Sequence, residues 1–138
     1  MMSEDLHPSP EEDHSAVKAI LVVEDDEAIG TFVVEALLQE TPYQALLATS
    51  GAEALRIVQS LKPNLVLLDY RLPDMNGLEI YNHLREMKGF ENIPAILMSA
   101  NMPKNVAQQR DILSLKKPFE LSELLENVST LLTERCDA

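Results

Sequence analysis

Five short apolar runs alternate with segments of helical period, and this alternation restricts the fold more than any other feature of the chain. The runs are AILVV (19–23), QALLA (44–48), NLVLLD (64–69), IPAILMSA (93–100) and DILSLKK (111–117). They are continuous rather than interleaved with polar residues. A strand of that kind needs both faces covered, as in a parallel sheet with helices on each side. Between the runs, EAIGTFVVEALLQE (27–40) sets Ile29, Phe32, Val33, Ala36 and Leu37 at helical spacing. SGAEALRIVQSL (50–61) opens on a serine cap with Glu53 three residues later, and NGLEIYNHLREMK (76–88) turns Leu78, Ile80, Tyr81 and Leu84 inward. PKNVAQQR (103–110) is short, polar and weakly helical, and ELSELLENVSTLLTE (120–134) is strongly periodic. A repeated β-α unit with right-handed crossovers predicts an α/β fold: a doubly wound, five-stranded parallel sheet.

A chain of 138 residues suits one hydrophobic core. Residues 1–17 read as an acidic tail outside it. Pro8 and Pro10 interrupt them, Glu4, Asp5, Glu11, Glu12 and Asp13 charge them, and no Lys or Arg precedes Val17. The folded unit is expected over 18–134, with 135–138 frayed. The formal net charge of −12 argues against direct nucleic-acid binding, which needs a basic footprint, and permits a divalent cation or a basic partner surface. No apolar run approaches the roughly 20 residues of a membrane-spanning helix. The polar N-terminus is unlike a secretion signal, so a cytoplasmic location is expected. The single cysteine, Cys136, has no partner for a disulfide or a metal site. Asn127 to Ser129 match a glycosylation acceptor that has no secretion signal to give it meaning.

In an open parallel sheet, sites form beyond the carboxyl ends of the strands. The first run ends on Glu24, Asp25 and Asp26, the third on Asp69, the fourth on Ser99 and the fifth on Lys117. Each has a bland reading. Asp25 or Asp26 suits a helix N-cap, Asp69 a turn, Ser99 a loop hydroxyl and Lys117 a solvated charge. Four strand ends of five carrying such groups fit those readings poorly as a set. Neighbouring strands lie about 4.8 Å apart. If the first and third are adjacent, Asp25 and Asp69 face each other, and packed carboxylates call for a cation. Mg²⁺, which takes one or two carboxylates plus a phosphate oxygen, suits the set. Lys117 and Ser99 suit a phosphoryl group. Asp69, single and at the end of the most apolar strand, is the best nucleophile for an acyl phosphate.

Together, LVVEDDEAI, NLVLLDYRLPDMNGLEI, IPAILMSA and KKPFELSELL resemble the receiver domains of bacterial two-component response regulators, over about residues 18–134. The resemblance implies a flavodoxin-like sheet of strand order 2-1-3-4-5. It places the family's acidic pair on Glu24 and Asp25 and leaves Asp26 to start a helix. It places the phosphorylated aspartate on Asp69, the switch hydroxyl on Ser99, and the lysine before a cis proline on Lys117. Mg²⁺ would be held by Glu24, Asp25, Asp69 and the backbone carbonyl of Arg71. The donor would be a histidine kinase or a His phosphotransfer protein, and the output binding to a further protein or onward relay. The implied protein is not an enzyme acting on a separate substrate, and is a monomer or weak dimer.

Two departures from the family pattern stand out. The Ser99–Lys117 interval is about one helical turn short, roughly 3.6 residues, so the fourth helix is expected to be shortened or irregular. Arg110 and Asp111 replace a Gly-Ala pair there. Ser114 occupies the place of the usual aromatic. The family's dimerisation face therefore does not carry over. The chain ends one helix length after Lys117, which predicts a stand-alone receiver. Alternatives are a phosphorylation-independent scaffold with a vestigial acid pocket, or a metal-dependent phosphatase. Arg71 disfavours the phosphatase, because it stands where a second acid is expected. A Ca²⁺ loop at DMNG lacks the alternating ligands and the closing Glu.

Overall fold

The computed structural model describes residues 17–101 and 112–137. The acidic tail up to Ala16 and the segment 102–111, with its expected fourth helix, lie outside the described residues. Strands β1 (Ala19–Val23), β2 (Gln44–Ala48), β3 (Leu65–Asp69), β4 (Ala95–Ser99) and β5 (Ile112–Lys116) form one sheet in the order β2-β1-β3-β4-β5. Every pairing is parallel. The described helices are α1 (Glu27–Glu40), α2 (Gly51–Ile57), α3 (Gly77–Arg85) and α4 (Leu121–Asp137). This is the doubly wound, flavodoxin-like architecture that the run pattern and the resemblance predict.

The two-residue period of a strand explains why the apolar runs are continuous. Leu21, Val23, Val66, Leu68, Ala95 and Leu97 face one side and pack with Ala54 and Val58 of the α2 region and Ile80, Tyr81 and Leu84 of α3. Ile20, Val22, Leu65, Leu67, Ile96 and Met98 face the other side. There they meet Val33 and Leu37 of α1 and Leu124, Val128 and Leu132 of α4. Each central strand thus feeds two cores, and a polar residue in the middle of one would be buried among apolar side chains on either face.

The helices begin where their caps dictate. The Asp26 carboxylate accepts from the Ile29 N–H at 3.1 Å and starts α1. Ser50 Oγ accepts from the Glu53 N–H at 3.0 Å and starts α2. Asn76 and Glu79 form a reciprocal capping box at α3. The ends differ from the sequence expectation. Helix α2 stops at Ile57, not 61, because the N–H groups of Gln59 and Ser60 turn to carbonyls three residues back, on Arg56 and Ile57. Helix α3 stops at Arg85, not 88, as Glu86 and Met87 do the same ahead of Gly89, whose φ is 93°. On α1, Val33, Ala36 and Leu37 are buried as the spacing predicts, but Ile29 and Phe32 are 38% and 57% exposed. Gly30 in the first turn of α1 is buried against Leu47 of β2, whereas Ile29 and Phe32 turn towards Pro118 and Phe119 beyond the strand ends.

Among the described residues, no helix is long and apolar enough to cross a membrane. One contact ties the core to the end of β3. A Cβ on Gly77 would lie 2.7 Å from the Asp69 carbonyl oxygen and 2.9 Å from Leu97 Cδ2. The backbone atom has no room to yield, so Gly77→Ala should cost about 1–3 kcal/mol in urea unfolding, as overpacking does. Unchanged stability would show that the start of α3 is free to shift.

Candidate functional site

The register of the sheet assembles the candidate residues. Val23 of β1 pairs with Leu68 of β3, so Glu24 and Asp69, each the next residue, end beside one another. Met98 pairs with Asp69, which sets Ser99 at the rim of the adjoining strand. The Lys117 N–H donates to the Ser99 carbonyl at 3.0 Å and extends the β4–β5 ladder. The Lys117–Pro118 peptide bond is cis. The polar residues Glu24, Asp69 and Ser99 are buried, while Asp25 is exposed.

At the centre lies an ion-paired cluster. Lys117 Nζ donates to Glu24 Oε1 at 2.8 Å and lies 3.4 Å from Asp69 Oδ1. Glu24 Oε2 accepts from the Asp26 N–H at 3.2 Å, and its own N–H donates to the Ala48 carbonyl at 2.9 Å. Burial pushes the Glu24 carboxyl above its ordinary value, although Lys117 and the Asp26 N–H oppose the shift. For Lys117, burial works against the charge, but the pairing with Glu24 and Asp69 prevails and its pKa is raised. The ammonium is therefore firmly charged and answers only part of the negative charge around it.

Glu24, Asp25 and Asp69 each offer a carboxylate oxygen, and these atoms all lie within 4.8 Å of one another. Three hard oxygen donors, one exposed, with a single ammonium beside them, fit a small divalent cation with open positions for water. Ser99 Oγ accepts from the Asn101 N–H at 3.1 Å, which anchors the hydroxyl at the rim. Arg71 N–H donates to Asp69 Oδ1 at 3.4 Å, and Arg71 pairs with Asn76 in an isolated antiparallel bridge. The sequence-predicted residues on β1, β3, β4 and after β5 thus gather at one rim of the sheet.

Three features of the rim escape sequence reasoning. Glu53 does not close a capping box with Ser50. Its carboxylate accepts from the Thr49 N–H at 2.7 Å and the Thr49 hydroxyl at 3.0 Å, and the Thr49 N–H holds it below the usual range. Asp74 accepts from the Gly51 and Ala52 N–H groups, which hold its carboxyl low as well. The only hint of Asp74 in the sequence is the turn composition of PDMNG, which any loop could share. Lastly, Ile29, Phe32, Val33, Pro118 and Phe119 line an apolar groove of about 380 Å³ that also touches Lys117.

Comparison with known proteins agrees with this geometry. The response regulator receiver domain family matches residues 20–129. The chain belongs to the response regulator receiver family. The sporulation initiation phosphotransferase F of Bacillus subtilis is 34% identical over 117 residues, covering 82% of this chain and 92% of that protein. The hybrid signal transduction histidine kinase D of Dictyostelium discoideum is 31% identical over 83% of this chain, which spans 8% of that kinase's length. Among solved structures, the response regulator TrrA of Thermotoga maritima, in complex with Mg²⁺ and BeF, is 32% identical. It has a TM-score of 0.72 and covers 83% of this chain and 98% of that one. As a receiver, the chain is a signalling module of the two-component, phosphorylation-dependent kind. Receivers interact with histidine kinases or phosphotransfer proteins.

The ion cluster has a measurable consequence. Lys117→Met leaves the buried Glu24 without its cation and should cost about 2 kcal/mol at neutral pH in metal-free protein. A raised folded pKa means the folded state holds the proton more tightly. The lost stability should therefore return as pH falls towards Glu24's ordinary value of 4.5. Glu53 and Asp74 act with the opposite sign. Their stabilisation is present above their ordinary values of 4.5 and 3.8 and fades only as pH falls through their lowered folded values. Urea midpoints of mutant and wild type that stay parallel from neutral to mildly acidic pH would contradict the Glu24–Lys117 account.

Proposed function

We propose that Asp69 is the phosphoacceptor of this receiver, and that its donor is the phosphohistidine of a histidine kinase or His phosphotransfer protein. The observation that carries the reading is the Glu24–Asp69–Lys117 cluster, with Lys117 Nζ within 3.4 Å of Asp69 Oδ1. An Asp69 carboxylate oxygen attacks phosphorus, the P–N bond to the donor imidazole breaks, and the imidazole leaves with the bonding pair. The product is an acyl phosphate on Asp69. Mg²⁺ would be held by Glu24, Asp25, Asp69 and the Arg71 carbonyl, and when bound it neutralises charge on the phosphoryl oxygens. Lys117 supplies a second positive charge at the same group. Ser99 is the hydroxyl that donates a hydrogen bond to the phosphoryl group once it is in place, releasing the Asn101 N–H contact or sharing it. The roughly two added negative charges then bias the surrounding loops. Signal output is binding to a further protein, or relay of the phosphoryl group onward, in the cytoplasm.

The groove between α1 and the segment after β5 supports a docking role for the donor. Lys117 lines both the groove and the acid cluster. A helix that presents its histidine to Asp69 therefore also covers Ile29, Phe32 and Phe119. Exposure of Phe32 at 57% and Ile29 at 38% is what such a partner would bury.

Incubation with Mg²⁺ and a small phosphodonor should add one phosphoryl mass at Asp69, and Asp69→Ala or chelation should abolish it. An unmodified wild type at millimolar Mg²⁺ would sink the phosphoacceptor reading and favour a phosphorylation-independent scaffold. Phe32→Asp should slow transfer from a purified His phosphotransfer protein by about tenfold, the effect of losing one interface anchor. The same variant should accept phosphate from the small donor at the wild-type rate. An equal slowing with both donors would place Phe32 in folding rather than docking.

A further inference from the structure

The loop from Tyr70 to Asn76 carries Arg71, and its two ends are tied at the sheet. The Tyr70 N–H donates to the Met98 carbonyl at 2.8 Å, and the Gly77 N–H donates to the Tyr70 carbonyl at 2.9 Å. Arg71 and Asn76 face each other across the loop in their isolated bridge. The tip is held by a different element. Asp74 Oδ1 accepts from the Gly51 N–H at 3.0 Å, and Oδ2 accepts from the Ala52 N–H at 2.8 Å. Both oxygens are engaged, so the carboxylate is fixed in direction as well as position. Beside it, Met75 fills the space a side chain on Gly51 would take: a Cβ there would come within 2.5 Å of Met75 Cγ.

Helix α2 does not depend on Asp74 for its own cap, because Ser50 already accepts from the Glu53 N–H. The Gly51 and Ala52 N–H groups are the donors that Ser50 leaves open at the first turn. A carboxylate reaching them from another loop does more for that loop than for the helix. It adds a fixed polar clamp to a tip otherwise held by the packing of Leu72 and Met75, and Arg71 lies in the chain between the clamp and Asp69, to which its N–H donates.

We propose that Asp74 is a positioning residue: by tying the loop tip to the first turn of α2, it holds the Arg71 backbone in place beside Asp69 for cation binding. The inference rests on the reading of Glu24, Asp25, Asp69 and the Arg71 carbonyl as the cation site. Asp74 touches neither cation nor phosphate and acts through the loop. Coupling of this kind is reciprocal, so cation binding should also register at the Gly51 and Ala52 N–H groups.

The experiment compares Mg²⁺ affinity, by titration followed through amide resonances, in wild type, Asp74→Ala, Asp74→Asn and Ser50→Ala. Asp74→Ala should weaken Mg²⁺ binding by about tenfold, the lower end of the effect of losing an orienting partner. Asp74→Asn, which keeps one acceptor oxygen, should fall between it and wild type. Ser50→Ala removes a cap from the same helix without touching the loop and should bind Mg²⁺ as wild type does. In wild type the Gly51 and Ala52 resonances should shift with saturation. Unchanged affinity in Asp74→Ala, or an equal loss in Ser50→Ala, would overturn the positioning role while leaving the cation site standing. Failure of the wild type to bind Mg²⁺ would overturn the cation reading and this inference with it.

Discussion

The parallel pairing of β1 with β3 brings two carboxylates to the same place. Val23 and Leu68 are partners in the ladder, so the residues that follow them, Glu24 and Asp69, leave the sheet side by side. Both strands are buried on both faces, and neither end can swing out to water without breaking apolar packing. The acids are thus held in a partly dehydrated place by the hydrophobic core, which has no electrostatic interest in them. Everything else at the rim answers that constraint.

Lys117 answers first. Its ammonium sits between Glu24 and Asp69 and is itself held there by the ladder bond from its N–H to Ser99. One positive charge does not neutralise three carboxylates; the raised Glu24 pKa reflects first its burial and then the nearby Asp69 carboxylate. The same imbalance makes the rim receptive to a divalent cation and, with it, to a phosphoryl group. A neutral rim would fold more easily and would attract neither. Stability is conceded at the place where chemistry is wanted, as at many functional sites.

The loops around the rim are held by short polar contacts in addition to the packing of Tyr70, Leu72 and Met75 against the core. Asp26 starts α1, Glu53 ties to Thr49, and Asp74 reaches across to α2. Such contacts fix position yet remain exchangeable, since water competes for each carboxylate and N–H. A loop framework of this kind can respond to a new charge while the sheet beneath it stays rigid. The apolar groove beside Lys117 is lined by the start of α1, Ala100 and the segment after β5, so a partner bound there meets Lys117 itself.

Most of the sheet and the main site residues were legible in the linear order. Continuous apolar runs require two-sided burial, and acids directly after such runs must emerge at the strand ends, so Glu24, Asp25, Asp69, Ser99 and Lys117 could be gathered at one rim from spacing and the sheet rule alone. Helix starts were legible for the same local reason, because a cap acts within three residues. Helix ends were less so: α2 and α3 each stop early, where backbone N–H groups tighten onto carbonyls three residues back. Helical spacing also assigned Ile29 and Phe32 to the core, since periodicity records which residues share a face but not whether anything lies beneath it. Asp74 was invisible because its partners, the Gly51 and Ala52 N–H groups, belong to every sequence and are placed only by the packing of α2. The sequence by itself determined which strands and which charges this protein has, through the chemistry of neighbouring residues. Only the tertiary structure decided which charges stand close enough to share a cation, which loop is clamped to which helix and which apolar side chains are left exposed, because those depend on distances between elements that no local pattern encodes.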